Sequence, residues 1–275
     1  RILGDDGKVK IVRFSKSRDP KAIAAPEGVI DPMVKTVSLW NGKRPLVCLT
    51  YYATHPQSYY GKGDVSAGFG GLARSRREAE LGLPHIHFCG AGGNVAAGKY
   101  NDGSPEARKA LTDRMAEALR KAWEATEKTP VAAGDVAWRV APVALPAADH
   151  LDADALRKTL ADDSAKQEVR QRAARKLAFL HRAQNGHETE LSCLKIKDAY
   201  IVHMPGELFV EYQLAAREMR PDDFVCMAAY GDMSAGYIPT KIAFSQGGYE
   251  IVGGLSVVAP SVEEVLTEGM RKLLR

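Results

Sequence analysis

The chain has 275 residues, 45% hydrophobic and 26% charged, and its 38 basic and 34 acidic side chains leave a formal charge of +4. No run of about 18 apolar residues occurs, which argues against a membrane-spanning helix, and the small, dispersed positive excess argues against nucleic acid as a partner. This length can bury a substantial core without a structural metal or disulfides. Arg1-Ile2-Leu3-Gly4 has the form of neither a signal peptide nor a Met start, so the beginning reads as an internal cut. Cys48, Cys89, Cys193 and Cys226 lie far apart in apolar runs, without zinc-finger spacing, and read as buried thiols.

The polar, Pro-rich opening contains a predicted strand at 9–14. Alternation over 34–40, the Asn41-Gly42 turn and the apolar run 45–54 predict a hairpin whose second strand is buried on both faces. A helix near 72–81 and a strand at 85–89 follow, giving a strand–helix–strand unit. Ser104-Pro105-Glu106 is a helix start, with Ser as N-cap and Pro at the first helical position. Leu111, Met115, Leu119 and Trp123 then line one face of a helix running to about 127. A strand at 136–143 precedes a charged stretch over 153–182 that reads as one long helix with a solvated face. Strands at 189–196 and 199–204 lead to Pro205-Gly206-Glu207, followed by a helix at 208–219, a strand at 224–229, a Gly-rich loop at 230–236 and an amphipathic helix at 261–274. The expected fold is α/β, with a mixed sheet flanked by helices in a single domain.

In such folds functional residues collect on loops beyond the carboxyl ends of strands. Here those loops carry His55-Pro56-Gln57-Ser58, Gly90-Ala91-Gly92-Gly93-Asn94, Pro205-Gly206-Glu207 and Tyr230-Gly231-Asp232. Each has a plain structural reading: His55 as a hydrogen-bonded strand-end histidine, Glu207 in a first helical turn complementing the helix dipole, and the glycines as a tight turn. The glycine turn also suits an anion nest, although it lacks nucleotide-loop spacing.

Taken together, these segments resemble the catalytic domain of neutral ceramidases, particularly short bacterial relatives without the C-terminal immunoglobulin-like domain. The resemblance is carried by Tyr52-Ala53-Thr54-His55-Pro56, by FCGAGGNVAAG over 88–98, by Pro205-Gly206-Glu207, and by Gly236-Tyr237-Ile238-Pro239-Thr240 with Gly247-Gly248-Tyr249-Glu250. It implies a Zn²⁺ site with His55, Glu207 and Tyr237 as ligands, and Tyr249 donating a hydrogen bond to the oxyanion. Amide or possibly ester hydrolysis by metal-activated water would follow, on a small-molecule or lipid-like substrate, in a periplasmic or secreted setting.

Three departures accompany the resemblance. The family's upstream histidine segment has no counterpart here, so residues 1–275 read as a ceramidase-like catalytic domain lacking its N-terminal part. The family serine falls on Ala96 and its preceding Asp on Asn94, while another family Asp falls on Gly68. A metal-free ligand-binding relative is therefore the competing reading, and a sugar- or phosphate-binding protein using Gly90–Gly93 is a third. His85 and His87 share a strand face and read as structural, as does His203, which would otherwise orient Glu207. His150, His181 and His187 read as surface residues, and Asp64, Asn101 and Asp102 as turn residues.

Overall fold

The computed structural model describes residues 1–59, 61, 65–231 and 235–275, so Asp64 and Asp232 lie outside the described residues. A small antiparallel pair, β1 (Ile2–Leu3) and β2 (Val9–Ile11), and helix α1 (Pro20–Ala24) precede the first large unit. There β3 (Lys35–Asn41) and β4 (Arg44–Tyr52) form the hairpin expected at Asn41-Gly42. Helix α2 (Gly68–Leu81) returns the chain to β5 (His85–Cys89), which runs parallel to β4. Helix α3 (Pro105–Glu124) starts as expected, the Ser104 hydroxyl accepting from the Ala107 amide at 3.1 Å.

The second unit contains β6 (Val136–Val143), α4 (Ala153–Ala161), α5 (Gln167–Gln184), β7 (Thr189–Ile196), β8 (Ala199–Pro205), β9 (Glu207–Leu208), α6 (Val210–Glu218) and β10 (Phe224–Gly231). It ends with β11 (Tyr237–Ile238), α7 (Lys241–Gln246) and α8 (Val262–Leu273). The strand order is β10-β8-β7-β6, antiparallel except for β10 and β8, which α6 connects in parallel. The fold is therefore α/β with mixed sheets.

Apolar periodicity explains the layering. Phe69 and Ala73 of α2 and Leu111, Met115 and Leu119 of α3 cover the outer face of the first sheet. Tyr51 and Phe88, stacked at 5.1 Å, project from its other face onto Ile201, Cys226 and Ala228 of the second sheet. Leu191, Val202 and Met204 on the far side of the second sheet meet Tyr212 of α6 and Val262, Leu266, Met270 and Leu273 of α8. Those α8 positions recur at helical spacing, and they bury a continuous stripe. The layers run helix, sheet, sheet, helix.

Two expectations about helices are corrected. The stretch 153–182 is two helices, because Asp162 accepts from the Ser164 amide and hydroxyl at 2.9 and 2.6 Å and turns the chain there. Glu207 is not in a helical turn, since Glu207–Leu208 pairs as a strand and α6 begins only at Val210. Among the described residues no helix is long and apolar enough to cross a membrane.

The remaining histidines and turn residues have structural surroundings. His85 is buried with Nδ1 2.7 Å from the Leu83 carbonyl, and His203 lies beside Trp138 with Nδ1 3.5 Å from Ser192 Oγ. Asn101 is buried, its amide donating to the carbonyls of Ser15 and Ser58. His87 Nδ1 is 2.8 Å from Thr50 Oγ1, and burial, reinforced by Arg74, lowers its pKa to about 4. Its folded pKa thus lies below the unfolded value near 6.5, so the unfolded chain binds the extra proton and stability falls with pH across that window. Allowing for partial exposure, the loss between pH 7 and pH 4.5 is expected to be roughly 2 kcal/mol. Urea midpoints at the two pH values should show it, and His87→Gln should flatten the difference.

Candidate active site

The two parallel pairs, β4 with β5 and β8 with β10, point their carboxyl ends to one side, where their loops meet around a cavity of about 390 Å³. His55 follows β4, Cys89 ends β5, Gly93 to Ala96 form the next turn, and Glu207 follows β8. Tyr237, Tyr249 and Glu250 complete the opposite wall, with Arg1 and Phe14 contributed by the start of the chain.

The local pairing explains why Glu207 and Tyr237 stand together. Gly206, at φ +61°, turns the chain out of β8, and the Glu207 amide donates to the Gly236 carbonyl at 2.7 Å. Glu207 is then the parallel partner of Tyr237, and residues paired in register project to the same face. Across from them His55 places Nε2 3.5 Å from Glu207 Oε2 and 3.4 Å from the Tyr237 hydroxyl. His55 Nδ1 lies 2.7 Å from the Gly92 carbonyl and 3.2 Å from that of Val95. With the proton on Nδ1 donated to these carbonyls, Nε2 is the atom presented to Glu207 and Tyr237.

The electrostatics follow from this packing. Burial alone would depress the His55 imidazole, but its contacts with Glu207 and with the Gly92 and Val95 carbonyls hold it above the ordinary histidine value. Burial and the neighbouring Glu207 raise the Tyr237 phenol, so in this arrangement it carries its proton. Tyr249 packs edge-on against Tyr237, with ring centres 6.1 Å apart, and against Phe14 at 5.1 Å.

The glycine turn has a packing role. A Cβ on Gly93 would stand 2.4 Å from the Glu207 carbonyl, and the Gly93 amide donates to the Leu208 carbonyl at 2.7 Å. The amides of Gly90 and Ala91 are also used internally, by the Tyr52 carbonyl and Gln213 Oε1. These donors are spent on the fold, which removes the main support for an anion nest at Gly90–Gly93. Asn94 is likewise committed: its Oδ1 accepts from the Val210 amide at the start of α6, and its Nδ2 donates to Glu211. Ala96 lines the cavity. Gly68 begins α2 at φ +62°, where a Cβ would stand 2.3 Å from the Pro56 carbonyl, so no side chain fits beside the His55 loop.

The structure thus brings His55, Glu207, Tyr237 and Tyr249 to one cavity. Arg1, Cys89 and Glu250 also line it, together with Tyr230 of the segment expected on this rim. Cys89 is half-buried at the cavity rather than sunk in the core like the other cysteines. Glu250 has a visible signal in the Gly247-Gly248-Tyr249-Glu250 block, and Tyr230 in its place just after the strand predicted at 224–229, whereas nothing local to Arg1 marks it. Among the described residues no group of three or more His, Cys, Asp and Glu side chains assembles that could hold a metal ion, and the third donor here is a tyrosine.

No protein-family model matches the sequence, and no curated protein matches it. Solved structures do match the fold. Neutral ceramidase from Pseudomonas aeruginosa superposes with a TM-score of 0.63 at 16% identity, covering 89% of this chain and 46% of that one. A ceramidase complexed with C2 gives a TM-score of 0.60 at 14% identity, covering 89% of this chain and 48% of that one. The likeness is one of fold, and the chain spans about half the length of these proteins.

The tight approach at Gly93 is directly testable. Gly93→Ala is expected to destabilise the chain by about 1–3 kcal/mol, because both clashing groups are backbone. Gly134→Ala, at an exposed site with nothing within 4 Å of the added carbon, should leave the urea midpoint unchanged.

Proposed function

We propose that the chain is the catalytic portion of a zinc-dependent hydrolase that cleaves an amide, or an ester, in a small-molecule or lipid-like acyl substrate. One observation carries this reading: an imidazole nitrogen, a carboxylate oxygen and a phenol oxygen converge, with His55 Nε2 within 3.5 Å of both others, on the wall of a cavity. Nitrogen and oxygen donors on one tetrahedral Zn²⁺ lie roughly 3–4 Å apart, so the donor set fits in both chemistry and spacing. Zn²⁺ held by His55, Glu207 and Tyr237 would supply Lewis acidity and acidify water for attack near neutral pH.

The protein's own groups have separate tasks in this scheme. The Gly92 and Val95 carbonyls hold the His55 ring and its tautomer, and the backbone pairing of β9 with β11 holds Glu207 beside Tyr237. Tyr249 is the donor proposed for the developing oxyanion. With Ala96 at the cavity, that loop offers no hydroxyl nucleophile, so attack falls to water and no acyl-enzyme forms there.

A ligand-binding role without turnover is the second reading. It is favoured by the way His55 approaches Glu207 and Tyr237 directly, and by the commitment of Asn94 to the start of α6. Metal analysis after zinc-replete purification separates the two. About one zinc per chain is expected, with Glu207→Gln lowering zinc content and hydrolysis of an N-acyl amide in parallel. Unchanged zinc in that variant removes Glu207 from the ligand set, and a folded, zinc-free parent chain favours the second reading.

Tyr249 is 41% exposed, and a hydrogen bond at a partly solvated site is worth less than one in a sealed pocket. Tyr249→Phe is therefore expected to lower kcat by about 10- to 100-fold, at or below the usual loss for an oxyanion donor, with zinc retained. Full kcat in that variant would return Tyr249 to a packing role.

A further inference from the structure

Asp31 and Gln213 stand outside the cavity lining, yet they are buried, at 1% and 5% exposure, and bonded to the turn that holds His55. Gln213 Nε2 donates to Asp31 Oδ2 at 2.7 Å, and its Oε1 accepts from the Ala91 amide at 3.1 Å. Asp31 Oδ1 accepts from the Met33 amide at 3.2 Å and from Arg217 Nη1 at 3.1 Å. Gly90 makes the approach possible, since a Cβ there would stand 2.3 Å from Gln213 Oε1. The residue after Ala91 is Gly92, whose carbonyl meets His55 Nδ1 at 2.7 Å.

This chain of bonds has a direction. A carboxylate offers only acceptors and a backbone N–H only a donor, so the Gln213 amide between them fits one way round. Packing alone does not call for such an arrangement, because apolar side chains of similar volume fill a buried space without the cost of desolvating a carboxylate. We propose that Asp31 and Gln213 are positioning residues for His55. They fix the turn whose Gly92 and Val95 carbonyls keep the imidazole proton on Nδ1 and leave Nε2 open toward Glu207 and Tyr237. The consequence for zinc rests on the hydrolase reading, but the consequence for the His55 tautomer does not.

The test exchanges the carboxylate and the amide. In Asp31→Asn the one remaining acceptor oxygen stays with Met33 and Arg217, which bring two donors to it. The new amide then faces that of Gln213 donor to donor, and the link to Ala91 breaks. Adding Gln213→Glu restores the link with reversed polarity, because the glutamate accepts from both the asparagine and the Ala91 amide, and neither change alters side-chain volume. Zinc titrated into the full chain against a chelator is expected to bind about tenfold more weakly in Asp31→Asn, with the double variant back near the parent. In the metal-free chain at alkaline pH, NMR of the histidine ring nitrogens should show His55 protonated at Nδ1 in the parent. A share of the Nε2–H tautomer should appear in Asp31→Asn and vanish in the double variant. A tautomer unmoved by Asp31→Asn, or a double variant that stays like the single one, overturns the proposal. If Asp31→Asn does not fold, Gln213→Met, which removes both bonds at similar volume, takes its place with the same expected losses. A parent chain that binds no zinc sinks the hydrolase reading, and the tautomer then decides the positioning role by itself.

Discussion

The site depends on a backbone contact. The turn after β5 lies so close to the strand carrying Glu207 that only glycine fits at position 93, and the Gly93 amide bonds directly to the Leu208 carbonyl. This seam joins the loop of the first sheet to that of the second. The same turn supplies the Gly92 and Val95 carbonyls that orient His55. Remove the seam, and the histidine and the carboxylate belong to two separately supported halves.

The second determinant is the two-residue ladder between β9 and β11. It is too short to contribute much stability as a sheet, but it aligns Glu207 with Tyr237, which side-chain packing alone would not do. Precise placement of polar groups by backbone pairing leaves their side chains free for chemistry. Tyr237 then sits between His55 on one side and the Tyr249 edge on the other, in surroundings that keep its phenol protonated. A cation at this point would oppose that effect, because it favours the phenolate that burial disfavours.

Much of this was legible from residue patterns. The hairpin at Asn41-Gly42, the capped start of α3 at Ser104-Pro105 and the strand 136–143 are governed by local chemistry, and the structure has them where the sequence places them. The break at Asp162 was missed because a charged, Pro-free stretch looks helical unless the Asx turn to Ser164 is noticed. The segment after Pro205-Gly206 has helical composition, which is what suggests a first helical turn at Glu207. Its actual strand pairing is with residues thirty positions later, which no local pattern encodes. The same limit explains Arg1, whose place at the cavity is a tertiary fact. The residues carrying the ceramidase-like resemblance do come together in space, while the metal and the chemistry rest on the proposal above.

The donors are also far apart along the chain. The contact between His55 and Tyr237 spans 182 positions, and Glu207 lies between them in sequence while pairing with Tyr237 in the β9–β11 ladder. Closing so large a loop has an entropic cost that only the assembled layers can offset. Secondary structure can therefore form, and even the first sheet can be complete, while the donor cluster does not yet exist. A probe that responds to the proximity of His55 and Tyr237 would therefore report the tertiary assembly of these segments, which circular dichroism, sensitive to local secondary structure, does not.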